Sequence, residues 1–370
     1  MKNKLSRREL MKAVGASAVL SSTLPSARVH AQKSSWPPAE GANTPKICLG
    51  ISADASAALM RRVKQIGVDY VLTGAEIPWT ESMVRERINR FKAGGLTLCN
   101  MMMSGFPKTL YGRPGRDEEI ENVRQSIRAA GKAGLPVIEY NFYAHRIVEG
   151  YYDEPGRGGA GMTAFDYDKI KDLPPLEGIG AHTLDAMWSN VTYFLKAVVP
   201  TAIEAGVRLA LHPNDPPAPI SRGSGQIMST LAGWKRLVDI VKSPANGITF
   251  DCGVTRELGE DPVSVARYFG ARDCINHVHF RNVIVRKPYE KYTEVFLDEG
   301  QVDMFAVMRE LVRQKYPRGL YPEHPRAIDY DREREGGIVG AYAKVGGGAF
   351  GGEIYNVAYT KAMLQASLSI

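Results

Sequence analysis

Four groups able to bind a metal ion recur at matching places in the second half of the chain: His212, Asp251, His279 and Glu323. Each follows a short strand-like run: Leu209-Ala210-Leu211 before His212, Thr249-Phe250 before Asp251, Val278 before His279, and Leu320-Tyr321-Pro322 before Glu323. Two imidazoles and two carboxylates make a donor set of intermediate hardness, suited to Mn²⁺, Fe²⁺, Co²⁺ or Mg²⁺. Zinc would also bind, but four protein ligands would complete its tetrahedron and leave no place for a substrate. Taken singly, each residue has a structural role open to it, since a His near a strand end is often hydrogen-bonded in place and an Asp there often caps the next helix. Their repetition in consecutive units is what points to a shared centre. Other chemistries lack their signatures. No Gly-x-Ser-x-Gly elbow is present, and the Gly-rich runs do not follow a strand and open a helix as a nucleotide fingerprint requires.

The elements that must position these groups alternate along the chain. Strand-like segments are expected at 46–51, 69–73, 96–102, 136–142, 207–212, 247–251, 274–280 and 319–321. Amphipathic helical segments fall between them at 54–66, 80–93, 118–133, 182–205, 225–241, 262–270 and 303–314, with a last one at 353–368. Eight such pairs predict a single-domain α/β fold, the (β/α)₈ TIM barrel, over 46–370. In that fold the C-terminal strand ends carry the chemistry, which is where the four donors fall. Two connections, 144–181 after the fourth strand and 324–352 after the eighth, are too long for plain turns. Their position predicts that they shape the mouth of the barrel.

Composition narrows the function classes. The 370 residues carry a formal net charge of +7 and are 44% hydrophobic, enough for a large core. Residues 1–31 hold six positive charges against Glu9, so the rest of the chain carries only +2. No basic stripe with interleaved aromatics remains, which excludes a nucleic-acid reading. Within residues 1–31, Ser6-Arg7-Arg8-Glu9-Leu10-Met11-Lys12 precedes a weakly apolar run and ends at Val29-His30-Ala31. This is the pattern of a twin-arginine export signal, with a linker at 32–45 and a periplasmic destination expected. Membrane association beyond the signal is not expected. The four cysteines, Cys48, Cys99, Cys252 and Cys274, form no Cys-x-x-Cys pair, so a structural zinc site is not expected.

Several motifs resemble those of the mannonate dehydratases. His212-Pro213-Asn214-Asp215-Pro216-Pro217 is similar to their His-Pro-Asp-Asp-Pro-Pro, and His279-Phe280-Arg281-Asn282 to their His-Leu-Arg-Asn. Tyr140-Asn141-Phe142 matches a Tyr-Asn-Phe at the end of their fourth strand. The resemblance runs over most of the chain after residue 45. It implies a barrel of the xylose-isomerase type whose metal assists removal of water from D-mannonate to give 2-keto-3-deoxy-D-gluconate. Two ligand positions depart from the family. Where its members have a Cys on the sixth strand, this chain has Asp251, with Cys252 one residue later; side chains alternate along a strand, so only one faces inward, and Asp251 is favoured. Glu323 stands where the family has Asp. Both changes harden the site. Mn²⁺ is the expected cofactor, with Mg²⁺, Fe²⁺ and Co²⁺ as alternatives.

The resemblance places His324 at the family's catalytic His, a group suited to proton transfer at neutral pH. Arg281 is expected to hold a substrate carboxylate. Asn141, Asn214, Asp215 and His277 are expected beside substrate. The partner is a small sugar acid, with homo-oligomerisation left open. A metal-dependent sugar isomerase or epimerase of the same superfamily is the alternative reading, and a non-catalytic sugar-acid-binding protein the second alternative.

Overall fold

A computed structural model describes residues 36–143, 145, 148–333 and 342–370. The expected export signal at 1–31 lies outside the described residues, as does the start of the linker; residues 36–45 are turns and irregular chain. Among the described residues, no helix is long and apolar enough to cross a membrane.

Residues 37–370 form one compact unit. Among the described residues, fourteen strands run β1 (Lys46–Gly50), β2 (Tyr70–Glu76), β3 (Thr97–Ser104), β4 (Val137–Tyr140), β5 (Tyr151–Pro155), β6 (Gly161–Asp166), β7 (Arg208–Leu211), β8 (Ile220–Ser221), β9 (Ser224–Gly225), β10 (Asn246–Asp251), β11 (Ile275–His279), β12 (Asn282–Lys287), β13 (Lys291–Val295) and β14 (Gly319–Tyr321). Eight close a parallel barrel in the order β1-β2-β3-β4-β7-β10-β11-β14, with the last returning to the first. The segments expected as strands are these eight. Their runs read as continuous apolar stretches because both faces are covered, by the barrel interior and by the outer helices.

Helix boundaries follow local chemistry. Ser56, Thr80, Thr183, Thr230, Asp261 and Asp303 each accept a backbone N–H of the following helix through their side chains. Gly134 and Gly206 end their helices in the left-handed conformation, with φ of 86° and 66°, which costs a residue without a Cβ little. The last helix, Phe350–Leu368, starts against a side chain from outside itself. The Asp331 carboxylate accepts the N–H groups of Ala349, Gly351 and Gly352 at 2.8–2.9 Å.

Glu353, in the first turn of that helix, is pushed up to about 7, first by burial and then by the Asp331 charge. The folded chain therefore holds this proton more tightly than the unfolded chain does. The resulting stability is present below the ordinary carboxylate pKa and is lost as pH rises through about 7. Glu353→Gln, which cannot ionise, is expected to match the parent near pH 4. Near pH 8 it should be more stable by on the order of 2–3 kcal/mol. Urea melts at the two pH values check this, and an unchanged difference between them refutes it.

Among the described residues four excursions leave the barrel where two were expected, after β4, β7, β11 and β14, the second holding the small pair β8–β9. The first, after β4, is not a plain loop, because β5 and β6 form a hairpin in it. The third, missed from sequence, follows β11 and contains the hairpin β12–β13. The two hairpins join through β6 and β13 into one antiparallel sheet of order β12-β13-β6-β5. Tyr292 pairs with Phe165 across that junction, more than a hundred residues away in sequence, so no local pattern announces the sheet.

Candidate metal centre

The barrel register sets the four donors at one height. Asp251 ends β10 opposite His279, and His279 ends β11 opposite Tyr321 of β14, two residues before Glu323. His212 follows the last residue of β7. One donor atom from each of His212, Asp251, His279 and Glu323 lies within 4.8 Å of the others. His279 Nδ1 is 3.0 Å from both His212 Nε2 and Glu323 Oε2, and His212 Nε2 is 4.0 Å from Asp251 Oδ2. Asp251 serves two ends at once. Its Oδ1 accepts the Val254 N–H and caps the helix Cys252–Glu257, while its Oδ2 faces the cluster. Cys252 points away, its thiol donating to the His279 carbonyl at 3.2 Å, and burial pushes that thiol far up.

This donor set suits a divalent ion on its own chemistry. His212 Nδ1 lies 2.7 Å from the Pro213 carbonyl, which can only accept, so Nδ1 carries the hydrogen and Nε2 offers a lone pair. That lone pair faces a second imidazole nitrogen and two carboxylates, all nearly dry. Burial and then the neighbouring His279 push His212 down, whereas Glu323 and Glu139 outweigh burial and push His279 well up. His212 Nε2 and His279 Nδ1 face each other at 3.0 Å, a contact that needs one hydrogen between them, and an ion would displace it. Glu323 Oε1 is buried and makes no hydrogen bond, with Arg281 Nε 3.3 Å away.

Above the donors is a chamber of about 180 Å³, with Asn141, Tyr143, Asp215 and His324 on its walls. It shares Met102, Asn141 and Tyr143 with a neighbouring cavity of about 490 Å³ at the ends of β2 and β3. His324 Nε2 lies 3.5 Å from Glu323 Oε2, and its Nδ1 bonds Glu294 Oε2 at 2.9 Å. Arg326 holds both partners, donating to the Glu294 carboxylate and to the His324 carbonyl. His324 sits at φ 50°, in the left-handed region, a strain that this clamp must hold in place. Burial alone would lower the His324 imidazole; Glu294 and Glu323 outweigh it and raise it.

The other residues singled out from sequence divide. Asn141 and Asp215 face the chamber, Asp215 also accepting from the Tyr151 hydroxyl at 2.8 Å. Asn214 does not face it. Its amide is spent on Gln226 Oε1 and the Met228 N–H, holding the 213–229 segment, so the expected substrate contact is corrected to a structural one. His277 lies one layer lower, fully buried and 4.0 Å from Glu139, because it is two residues before His279 on the same inward face. Arg281 is also corrected. Its guanidinium is occupied by protein carboxylates, Asp251 at 3.0 Å and Glu257 at 2.6 Å among them, which places it behind the donors and not over a substrate. Sequence reasoning missed Glu139, Glu257 and Glu294. A lone carboxylate inside the apolar run Val137-Ile138-Glu139-Tyr140 was a usable signal for the first. For Glu294, the β-branched and aromatic run Tyr292–Phe296 signalled a strand that was not read.

Comparison with known proteins adds a family. The sequence model described as D-mannonate dehydratase matches residues 52–352. A mannonate dehydratase of Streptococcus equi subsp. zooepidemicus is 32% identical over 269 residues, 66% of this chain and 73% of its own length. One from Oceanobacillus iheyensis is 29% identical over 307 residues, 74% of this chain and 87% of its own. The crystal structure of mannonate dehydratase from Streptococcus suis serotype 2 superposes with a TM-score of 0.75 at 26% identity, covering 88% of this chain and 95% of that one.

Proposed function

The chain belongs to the D-mannonate dehydratase family, and from that premise we propose that it is a metal-dependent hydro-lyase converting D-mannonate to 2-keto-3-deoxy-D-gluconate. The observation that carries this reading is the convergence of His212, Asp251, His279 and Glu323 at one point, three of them lining a chamber that also has the His324 imidazole on its wall. The family match does not favour the isomerase, epimerase or binding-protein alternatives.

Dehydration removes the C2 proton and the C3 hydroxyl as water, and the resulting enol becomes the 2-keto acid. The four donors would hold Mn²⁺, or another divalent ion of similar hardness. When bound, such an ion supplies positive charge that stabilises the enolate-like electron density beside the substrate carboxylate. His324 carries the mobile proton. Its Nδ1 is anchored on Glu294, so only Nε2 is offered to the chamber, and the raised basicity lets it hold a proton for the departing hydroxyl. Asp215 and Asn141 accept and donate hydrogen bonds to the substrate hydroxyls that bring C2 and C3 into line. Residues 1–31 are read as a twin-arginine signal that delivers the folded enzyme to the periplasm.

The test is incubation of the purified, Mn²⁺-loaded protein with D-mannonate, following 2-keto-3-deoxy-D-gluconate. Metal-dependent product is expected. A protein that holds metal but forms no product overturns the reading. Glu323→Ala is expected to weaken Mn²⁺ binding by more than the roughly 100-fold that losing an outer-shell partner causes. Unchanged metal content by elemental analysis would remove Glu323 from the ligand set.

A further inference from the structure

Beneath the donors lies a layer of polar groups that the metal and the substrate do not account for. Glu139 points from β4 into the barrel and is 1% exposed. Its Oε1 accepts from Thr249 Oγ1 at 2.8 Å and lies 3.2 Å from His279 Nε2. Its Oε2 accepts from Asn100 Nδ2 at 2.9 Å. Asn100 in turn accepts the Glu139 backbone N–H through Oδ1 at 3.1 Å, which fixes the direction of its amide.

We propose that Glu139 is a positioning residue: it keeps the ring hydrogen of His279 on Nε2, so that Nδ1 is free to bind the ion with His212, Asp251 and Glu323. This rests on those four residues being the metal ligands. A neutral imidazole has one N–H and one lone pair, and an ionised carboxylate can only accept. Both ring nitrogens face acceptors, Nδ1 the Glu323 carboxylate at 3.0 Å and Nε2 the Glu139 carboxylate at 3.2 Å, a close contact though not aligned as a hydrogen bond; once an ion displaces the proton at Nδ1, the hydrogen that remains is the one on Nε2. Nδ1 then presents its lone pair where His212 Nε2 and Glu323 Oε2 both approach to 3.0 Å. His212 is set the same way by a different acceptor, the Pro213 carbonyl. Two separate acceptors thus turn two histidines so that their lone pairs meet at one point. Metal-binding histidines generally hand their second N–H to such a partner.

The surrounding bonds give the substitution Glu139→Gln a particular outcome. Glutamine has one side-chain oxygen, and the fixed Asn100 N–H donor claims it. The Gln amide NH₂ is left facing Thr249 and His279. Thr249 can rotate its hydroxyl to accept. His279 can accept only by giving up the hydrogen on Nε2, which moves it to Nδ1 and blocks the ligand. In Glu139→Ala a water can fill the space and accept from Nε2, so the smaller variant is expected to bind metal better than the near-isosteric one.

The experiment uses the full chain, stripped of metal and titrated with Mn²⁺. E139Q is expected to bind about 10- to 100-fold more weakly than the parent, with E139A between them. Binding by E139Q within twofold of the parent overturns the proposal, and so does E139A binding more weakly than E139Q. In parallel, ¹⁵N–¹H ring correlations of the Zn²⁺-loaded parent should show the His279 hydrogen on Nε2. A hydrogen on Nδ1 overturns the proposal even if neither variant folds. Two Mn²⁺ ions bound per chain would also overturn it, because Nε2 would then be a ligand of the second ion together with Glu139 and His277. None of these measurements involves D-mannonate, so their failure and a failure of the dehydratase reading remain distinguishable.

Discussion

Replacing His324 with Asn is expected to lower kcat for D-mannonate dehydration by about a thousandfold, within the 10²–10⁴ range of a positioned general acid or base. Bound metal should stay unchanged. His324 Nδ1 is held at 2.9 Å by Glu294 and its backbone is clamped by Arg326, while Nε2 lies 3.5 Å from Glu323 Oε2. An imidazole in that place can take and release a proton near neutrality, whereas an amide cannot. Asn suits the test for a second reason. The residue sits at φ 50°, and Asn tolerates the left-handed region better than most side chains, so the loss is not confounded by backbone strain. Steady-state kinetics and metal analysis on the same preparation check the prediction. A loss below tenfold would remove His324 from proton transfer. A parallel loss of metal would mean that it acts by holding Glu323.

Replacing Arg281 with Leu is expected to destabilise the metal-free protein by about 3–5 kcal/mol, the cost of removing one partner from a buried ionic cluster. The side chain is 2% exposed and touches more opposite charge than any substrate would supply. Asp251 and Glu257 lie at 3.0 and 2.6 Å, Asp215 and Glu323 at 3.3 Å, and Glu294 at 3.7 Å. Burial already pushes Glu257 well up and Asp251 up even with the guanidinium present. Without it these carboxyls would take up protons in the folded state but not in the unfolded one. Stability retained below the ordinary carboxylate pKa would then be lost as pH rises, so the deficit should shrink from pH 7 toward pH 5. Saturating Mn²⁺ should also recover part of it, since an ion bound to Asp251 and Glu323 replaces some of the missing charge. Lys at this position should not restore the parent, because a single ammonium cannot present the planar fork that meets Asp251 and Glu257 together. Urea melts with and without metal give the comparison, and a deficit under 1 kcal/mol would show that the cluster relaxes by other means.

The sequence alone determined the barrel and singled out the four groups that the fold brings together, His212, Asp251, His279 and Glu323. Apolar runs of strand length alternating with amphipathic segments specify the eight β–α units, since strand and helix periods are local properties of neighbouring residues. Once the units are counted, the end of each strand is known to within three residues. His212, Asp251, His279 and Glu323 are then legible as a group because each occupies the same place in its own unit. The choice of Asp251 over Cys252 was legible for the same reason, as alternation along one strand needs no partner. What only the tertiary structure decided is the surroundings of those donors. Asn214 and Asp215 are adjacent, yet one is spent on Gln226 and Met228 while the other faces the chamber. Arg281 carries the right charge for a substrate carboxylate, but carboxylates from β10, β13 and the loops beside them reach it first. Glu139 and Glu294 stand on strands far from His279 and His324 in sequence, and nothing in a linear pattern says which imidazole each will meet. A hydrogen bond or ion pair depends on ångström distances between segments brought together by barrel closure and by the sheet that joins β6 to β13. Periodicity fixes which way a side chain points along its own strand, and closure alone fixes what it points at.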